Sequence, residues 1–408
     1  MRRVVVTGMA GITPLGGEWP DIRAAFEKKR TGVQYIKDWD RLVDLRTRLG
    51  APADYFDHAR IFPRKKMRSM GRVAAMGVWS AQEALTHAGL IDDPVLTSGR
   101  VGVAFGSSYG STEPTKGFVH FMETGEAAGL SATSYIKMMS HTAVINIGVF
   151  FGLTGRVITT SSACTSGSQA LGYSYEAIKG GHADVMIAGG AEELCPTMAI
   201  VFDTLFATSC KNDTPQQTPQ PYDRDRDGLV IGEGASALIL EEREHAVARG
   251  APILAELVGF GTNMDGSHVT DPKPETMAGA LKLALQDASL SPGDIGFVSG
   301  HGTATVQGDI AESHATAEVL GPDAPIHSLK GYFGHTLGAC GAIEAWLTIE
   351  MMREGRFAPN VNLNNVDERC APLDYVVDGF RSIDTEFVMS NNFAFGGVNT
   401  SLIFRREG

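Results

Sequence analysis

Residues 159–172, TTSSACTSGSQALG, set a single thiol, Cys164, among hydroxyls, glycines and alanines. A sulfur left so uncovered can serve as a nucleophile, but only as thiolate. A helix start lowers a thiol's pKa through unpaired N–H groups and the helix dipole. Ser161 and Ser162 suit the cap of a helix opening at Cys164. The plain alternative is a packing cysteine, the commoner fate of a free thiol.

Two histidines bear on that choice. In GFVSGHGTATVQGD, His301 follows a buried strand and precedes a Gly-Thr turn, at the strand end where α/β folds place ligands. In SLKGYFGHTLGACGAIE, His335 stands at a glycine-flanked helix start, five residues after Lys330. A neutral imidazole so placed donates N–H to an oxygen that becomes negative, as in an enolate. One cysteine with two such donors suits thioester chemistry: acyl transfer to sulfur, then carbanion stabilisation. A zinc site built from Cys164, His301 and His335 is the competing use. No short-range ligand pair supports it, and Lys330 would stand beside the cation. Near the C-terminus, SNNFAFGGVN offers Phe395, Gly396 and Gly397 as a turn whose N–H groups can point into a site. The same turn closes a hairpin with the strand TSLIF, and both readings can hold.

These groups need a frame to bring them together. RRVVVTG, GRVAAMGVWSAQEALTHAGL and RVGVAFGSS alternate strand and helix patterns, the rhythm of a largely parallel sheet with crossover helices. ALTHAGL (residues 84–90) and ALQDASL (284–290) share A-L-x-x-A-x-L, and each leads through a turn to a strand. A second echo pairs Cys164-Thr165-Ser166-Gly167 with His335-Thr336-Leu337-Gly338. Together they predict an internal duplication. An N-terminal half over 1–250 carries the cysteine, and a C-terminal half over 251–408 carries the histidines. Cys164 and His335 then sit at equivalent helix starts facing one crevice. Residues 210–227, rich in Pro, Gln and charge, read as an ordered surface excursion or lid.

Composition bounds the function. A chain of 408 residues, 43% hydrophobic and 20% charged, has ample core for one large domain or two fused halves. Its 48 glycines exceed the usual share of about 7% and point to close backbone approaches. A net charge of −12 argues against nucleic acid as a partner. Five cysteines without C-x-x-C spacing fit neither a disulfide framework nor a structural zinc site, so a reducing cytoplasm is expected. The apolar run 4–6 is too short for a signal peptide. AVINIGVFFGL, with Asn146, is about half of the ~20 residues a membrane span needs. A soluble protein with no membrane insertion is predicted.

The blocks VVVTGMAGITPLG, SSACTSGSQALG, DVMIAGGAEE, YDRDRDGLVIGEGA, GHGTATVQGDIAE, LKGYFGHTLGACGAIE and NNFAFGGVNTSLIF run the length of the chain. In order and spacing they resemble the β-ketoacyl–acyl carrier protein synthases, the decarboxylating type II elongation enzymes of the thiolase superfamily. The resemblance implies an α/β, thiolase-like, five-layered α-β-α-β-α fold of two similar halves, usually in a homodimer. It implies that Cys164 takes an acyl chain from an acyl carrier protein, with the N–H groups of Cys164 and Phe395 as oxyanion hole and Gly396 in the gating turn. His301 and His335 would stabilise the enolate left when a malonyl thioester loses carbon dioxide, and the product is a 3-oxoacyl chain two carbons longer. Lys330, Asp309, Glu312 and Glu344 are implied as a supporting charge network, and Thr303 and Thr305 as the hold on the phosphopantetheine arm. That arm belongs to the carrier protein, so no metal or organic cofactor is implied. In RKKMRSMGR, the basic residues Arg64, Lys65, Lys66, Arg68 and Arg72 suit a solvated helix face; the resemblance makes Arg64, Lys65 and Arg68 a docking segment for the acidic carrier.

Some positions depart from the family pattern. Ala304 and Val306 stand where Ser and Pro are usual, and Gly331-Tyr332-Phe333 is bulkier than usual. Ala394 replaces a glycine before Phe395, which should stiffen the gate. Tyr109 falls at the far end of the implied acyl pocket, which Phe395 also lines. These changes suggest a dedicated type II pathway, polyketide or polyene-like (aryl polyene, for example), rather than bulk fatty-acid synthesis. They also admit a heterodimer with a related, silent chain-length-factor subunit. A thiolase would carry a second catalytic cysteine near the C-terminal glycine turn, where FAFGGVN has none. A starter-loading decarboxylase would have glutamine at 164. A silent subunit would have lost Cys164, His301 or His335, and all three are kept.

Overall fold

Val4, Val5 and Val6 are completely buried, as strands covered on both faces must be. In the computed structural model, which describes residues 2–407, they begin the first of two matching series. The N-terminal series runs β1 (Val4–Ile12), α1 (Arg72–His87), β2 (Val101–Gly106), α2 (Thr142–Phe151), β3 (Val157–Thr160), α3 (Ser166–Lys179), β4 (Val185–Glu192) and β5 (Gly234–Glu242). The C-terminal series repeats it with β6 (Ala255–Met264), α4 (Pro274–Ala288), β7 (Ile295–Ser299), α5 (Val306–Leu320), β8 (Pro325–His327), α6 (Cys340–Glu354), β9 (Phe387–Phe393) and β10 (Val398–Arg406).

Strand order is β3-β2-β4-β5-β1 in one half and β8-β7-β9-β10-β6 in the other, with matching parallel and antiparallel pairings. Residues 4–6 of β1 pair antiparallel with 255–257 of β6, joining the halves edge to edge. Helices α3 and α6 pack on each other between the sheets, α1 and α2 cover one outer face, and α4 and α5 cover the other. This is the expected five-layered, duplicated fold.

The repeated A-L-x-x-A-x-L has a packing cause. A Cβ added at Gly8 of β1 would lie 2.2 Å from the Ala84 carbonyl oxygen, and one at Gly259 of β6 would lie 2.5 Å from that of Ala284. Each small helix residue lets α1 or α4 settle onto a strand glycine.

The second echo is offset. Each central helix is preceded by a short turn, Ala163–Thr165 or Leu337–Ala339, opening on a residue of positive φ, Ala163 at 51° and Leu337 at 45°. The counterpart of Cys164 is therefore Gly338, and that of Gly167 is Gly341. His335 lies upstream of the equivalent position, in a connection that also carries the short helix Lys330–Phe333.

Residues 210–227 are not a surface lid throughout. Residues 218–223 are buried, and Tyr222 is completely enclosed; this stretch braces the loop after β7 from below. Among the described residues, no helix is long and apolar enough to cross a membrane.

Candidate active site

The left-handed elbow at Ala163 turns the chain sharply between β3 and α3 and places Cys164 in the first turn of the helix approach. The preceding serines do not cap this helix. Instead the N–H of Ser162 donates to Ser166 Oγ at 3.0 Å, Ser162 Oγ donates to Gln169 at 2.7 Å, and Ser161 Oγ donates to the Ser107 carbonyl at 3.1 Å. The serines hold the elbow rather than the helix end.

Cys164 is buried, and burial pushes its thiol up to about 11 against the pull of the Phe395 N–H and the Lys330 charge. The pKa expected from the helix start alone is therefore reversed, because enclosure outweighs the dipole. Sγ of Cys164 lies 2.9 Å from Nε2 of His335. The His335 main chain is fixed on both sides: its N–H donates to the Val230 carbonyl at 2.6 Å and its carbonyl accepts from Gly232 at 2.9 Å. The His301 ring stands 5.1 Å from that of His335, at 87°. Burial, then the positive charge of Lys330, holds both imidazoles well below 6.5, so both are neutral near pH 7.

Donor atoms of Cys164, His301 and His335 lie within 4.8 Å of one another, close enough for a metal-binding set. The Lys330 charge that disfavours protonation of both histidines also opposes a divalent ion there. Two neutral imidazoles beside a thiol are equipped to exchange a proton and to stabilise a developing oxyanion.

The implied charge network separates into two devices. Lys330 Nζ meets Glu344 Oε1 at 2.5 Å, both completely enclosed. Burial pulls the lysine's pKa down, but the Glu344 charge carries it above its ordinary value. Glu312 and Asp309 instead clamp backbone. Glu312 accepts the N–H groups of His301 at 2.5 Å and Gly302 at 2.6 Å. Asp309 accepts those of Tyr222 at 2.7 Å and Ala304 at 3.1 Å. Thus three carboxylate contacts pin the loop that carries His301 and the fourth ties it to Tyr222, and Ala304 is held there at a φ of 65°.

A cavity of about 370 Å³ opens above the sulfur, lined by Cys164, His301, His335, Thr303, Thr305 and Phe395 among others. Thr303 and Thr305 hydroxyls are 2.9 Å apart on one wall. Phe395 packs edge-on against Phe202 at 5.8 Å. The N–H of Gly396 donates to the Val269 carbonyl at 2.9 Å, which leaves Phe395 as the turn's donor toward the thiol. Ala394 adopts no positive φ, so alanine sits there without strain.

Tyr109 lies outside this cavity's lining, in the loop after β2, with its hydroxyl 3.3 Å from that of Thr115. Arg64, Lys65 and Arg68 are exposed and make no ion pair among the described residues. Arg72, grouped with them in sequence, turns inward to Glu233 at 2.6 Å.

Three residues of the site are not picked out by sequence reasoning. Asn392, on β9, touches both His301 and Glu344. The Cys340 thiol donates to the Cys164 carbonyl at 3.3 Å. Glu192 accepts from the N–H groups of Ser108 at 2.7 Å and Gly338 at 3.1 Å, tying the loop after β2 to the approach of α6. The Glu192-Glu193 pair ending a buried strand was the available signal for the last.

The geometry has counterparts among known proteins. The N-terminal domain of β-ketoacyl synthase matches residues 1–246, and its C-terminal domain matches residues 254–364. The 3-oxoacyl-[acyl-carrier-protein] synthase 2 of Vibrio cholerae is 35% identical, with 99% of each chain covered. A β-ketoacyl synthase crystal structure from Burkholderia phymatum is 55% identical and superposes with a TM-score of 0.98 over both full chains. The ishigamide ketosynthase/chain length factor is 28% identical with a TM-score of 0.92, again over both full chains. With both domains matched in order and its relatives covered end to end, the chain belongs to the β-ketoacyl synthase family.

Proposed function

We propose that the chain is a 3-oxoacyl-[acyl-carrier-protein] synthase, an acyltransferase that elongates a carrier-bound acyl chain by decarboxylative condensation. The observation that carries this reading is the Cys164 sulfur at the foot of the cavity, 2.9 Å from His335 Nε2 and grouped with His301. In the first step Cys164 attacks the thioester carbonyl of an acyl–carrier protein. Its proton passes through His335 to the departing pantetheine sulfur. The N–H groups of Cys164 and Phe395 receive the oxyanion. In the second step a malonyl–carrier protein occupies the cavity and its carboxylate leaves as carbon dioxide. His301, with His335 beside it, faces the enolate oxygen. The carbanion attacks the acyl carbonyl, the Cys164 sulfur leaves, and a 3-oxoacyl thioester two carbons longer remains on the carrier.

Thr303 and Thr305 would hold the phosphopantetheine arm, so the prosthetic group arrives with the partner and no resident cofactor is invoked. Lys330 with Glu344 sets the field around the histidines, while Asp309 and Glu312 hold their loop. The exposed Arg64, Lys65 and Arg68 suit docking of an acidic carrier. For assembly, β3 forms one edge of the sheet with Val157 50% exposed. Such an edge suits pairing with a second copy or a related chain-length-factor subunit. Five free cysteines suit a reducing cytoplasm. A thiolase reading is not favoured, because the second thiol, Cys340, lies outside the cavity lining.

Intact-protein mass spectrometry with a panel of acyl–carrier proteins, then malonyl–carrier protein, tests this. An acyl adduct on Cys164, absent from Cys164→Ala and discharged as a 3-oxo product two carbons longer, is expected. Failure to load any chain while malonyl carrier is still decarboxylated would instead mark a partner-dependent or loading subunit.

A further inference from the structure

The His301 imidazole touches one side-chain amide. Asn392 Nδ2 lies 3.3 Å from His301 Nδ1 and 2.7 Å from Glu344 Oε2. All three residues are buried. The two ends of a side-chain amide are alike in shape, so its neighbours decide which atom faces which way. Here Glu344 decides. Its other oxygen is held by Lys330 at 2.5 Å; burial raises the carboxyl's pKa, and the ammonium and the Asn392 amide act against that rise in favour of the ionised form. Turning the amide over would set the Asn392 carbonyl oxygen against that carboxylate at the same 2.7 Å, acceptor against acceptor. Asn392 Oδ1 instead points toward Gly341, where a Cβ would come within 2.7 Å of it. Glycine at 341 leaves room for that end of the amide in either orientation, and Oδ1 finds no hydrogen-bond partner there, so the choice rests on Glu344. Nδ2 is therefore a donor, and a ring nitrogen that receives a donor carries no proton of its own.

We infer that Asn392 is a positioning residue that fixes the tautomer of His301, leaving Nδ1 as acceptor and placing the ring proton on Nε2. The chain of control runs from Lys330 to Glu344, from Glu344 to the amide, and from the amide to the ring. Lys330 and Glu344 thereby act on a proton they do not touch. The consequence for chemistry rests on the proposed function: the Nε2–H group is the donor an enolate oxygen needs, whereas the opposite tautomer would turn a lone pair toward it. Hydrogen-bond partners that orient metal-bound histidines are worth roughly 10–100-fold when removed, and a loss of that order is expected for His301.

The test has two readouts. In ¹⁵N-histidine NMR of the whole enzyme near pH 7.5, the His301 signal is identified by its loss in His301→Ala. Wild type is expected to show Nε2 protonated and Nδ1 unprotonated. Asn392→Asp keeps the side chain's shape but offers an acceptor, and should move the proton to Nδ1. Asn392→Ala, which removes the donor without adding an acceptor, should give a mixture. In the second readout both variants should lose malonyl–carrier decarboxylation by roughly 10–100-fold, while acyl loading of Cys164, which relies on His335 and Phe395, stays near the wild-type rate. A wild-type ring protonated at Nδ1 overturns the inference. So does a folded Asn392→Ala that decarboxylates at the wild-type rate, or one that loses both partial reactions equally. If wild type neither loads nor decarboxylates, the proposed function fails, and the ring signal still decides the tautomer.

Discussion

Gly167 and Gly341 face each other across the crossing of α3 and α6. A Cβ on the first would lie 2.8 Å from Ala342 N, and one on the second 2.6 Å from Ser168 N. The near-twofold relation of the halves thus rests on a crossing where backbone meets backbone. Both helix starts that build the cavity floor depend on that approach.

Gly167→Ala should therefore lower stability by about 1–3 kcal/mol, the usual cost of forcing volume into a packed contact. Gly148→Ala is the control: in α2 nothing lies within 4 Å of its added Cβ, and alanine gains helix propensity of up to about 1 kcal/mol. Urea denaturation of the two variants and wild type measures this. A neutral Gly167→Ala would mean that the central helices separate without cost.

The thiol of Cys164 is pushed up to about 11 by burial. Only the thiolate alkylates, so its rate with a neutral haloacetamide should climb nearly tenfold per pH unit from about pH 7 to 10. Lys330→Met should slow the reaction, since the ammonium favours the thiolate. The check is mass-resolved labelling of Cys164 in the free enzyme. A plateau below pH 8 would mean that the helix-start amides and the Phe395 N–H outweigh burial after all.

Both imidazoles are held well below 6.5, by burial first and by Lys330 second. A depressed histidine stays neutral as pH falls through 6.5, while the unfolded chain takes up the proton there; each therefore removes stability below pH 6.5. NMR titration, with assignments from His301→Ala and His335→Ala, should show neither ring changing charge between pH 8 and 6.5. A midpoint at or above 6.5 for either ring would contradict its enclosure. Lys330→Met should move both midpoints upward.

How much of this is legible in the chain follows from where each partner comes from. Cys164, His301 and His335 stand out because each sits beside glycines or small residues at a strand or helix end, a local signature. The A-L-x-x-A-x-L echo is legible for the same reason, since each copy packs on its own neighbouring strand. The offset between Cys164 and His335 is not, because the C-terminal half spends extra residues on the short helix Lys330–Phe333 before its elbow at Leu337. Nor is the raised thiol pKa, which depends on enclosure by a turn far along the chain. Asn392 reads like any strand asparagine until His301 and Glu344, from two other elements, are brought to it. Tyr109 shows the converse: placed by resemblance at the acyl pocket, it stands outside the lining of the cavity over Cys164.

The basic segment separates by geometry into surface and core. Arg64, Lys65 and Arg68 are exposed, whereas Arg72 meets Glu233 at 2.6 Å and donates to the carbonyls of Phe56 and Ala53. Replacing the three exposed residues by glutamate should leave the melting temperature near wild type. It should raise KM for the carrier protein by about tenfold and flatten its salt dependence, with kcat little changed, because rim charges steer encounter rather than chemistry. Arg72→Ala should do the opposite. It strands Glu233 in a buried site, which costs about 3–5 kcal/mol when one partner of such a pair is removed. Steady-state kinetics at two ionic strengths, beside thermal melts, distinguish the two effects. An unchanged KM in the triple variant would move carrier docking to another face; a stable Arg72→Ala would return Arg72 to the solvent-facing group in which its sequence neighbours place it.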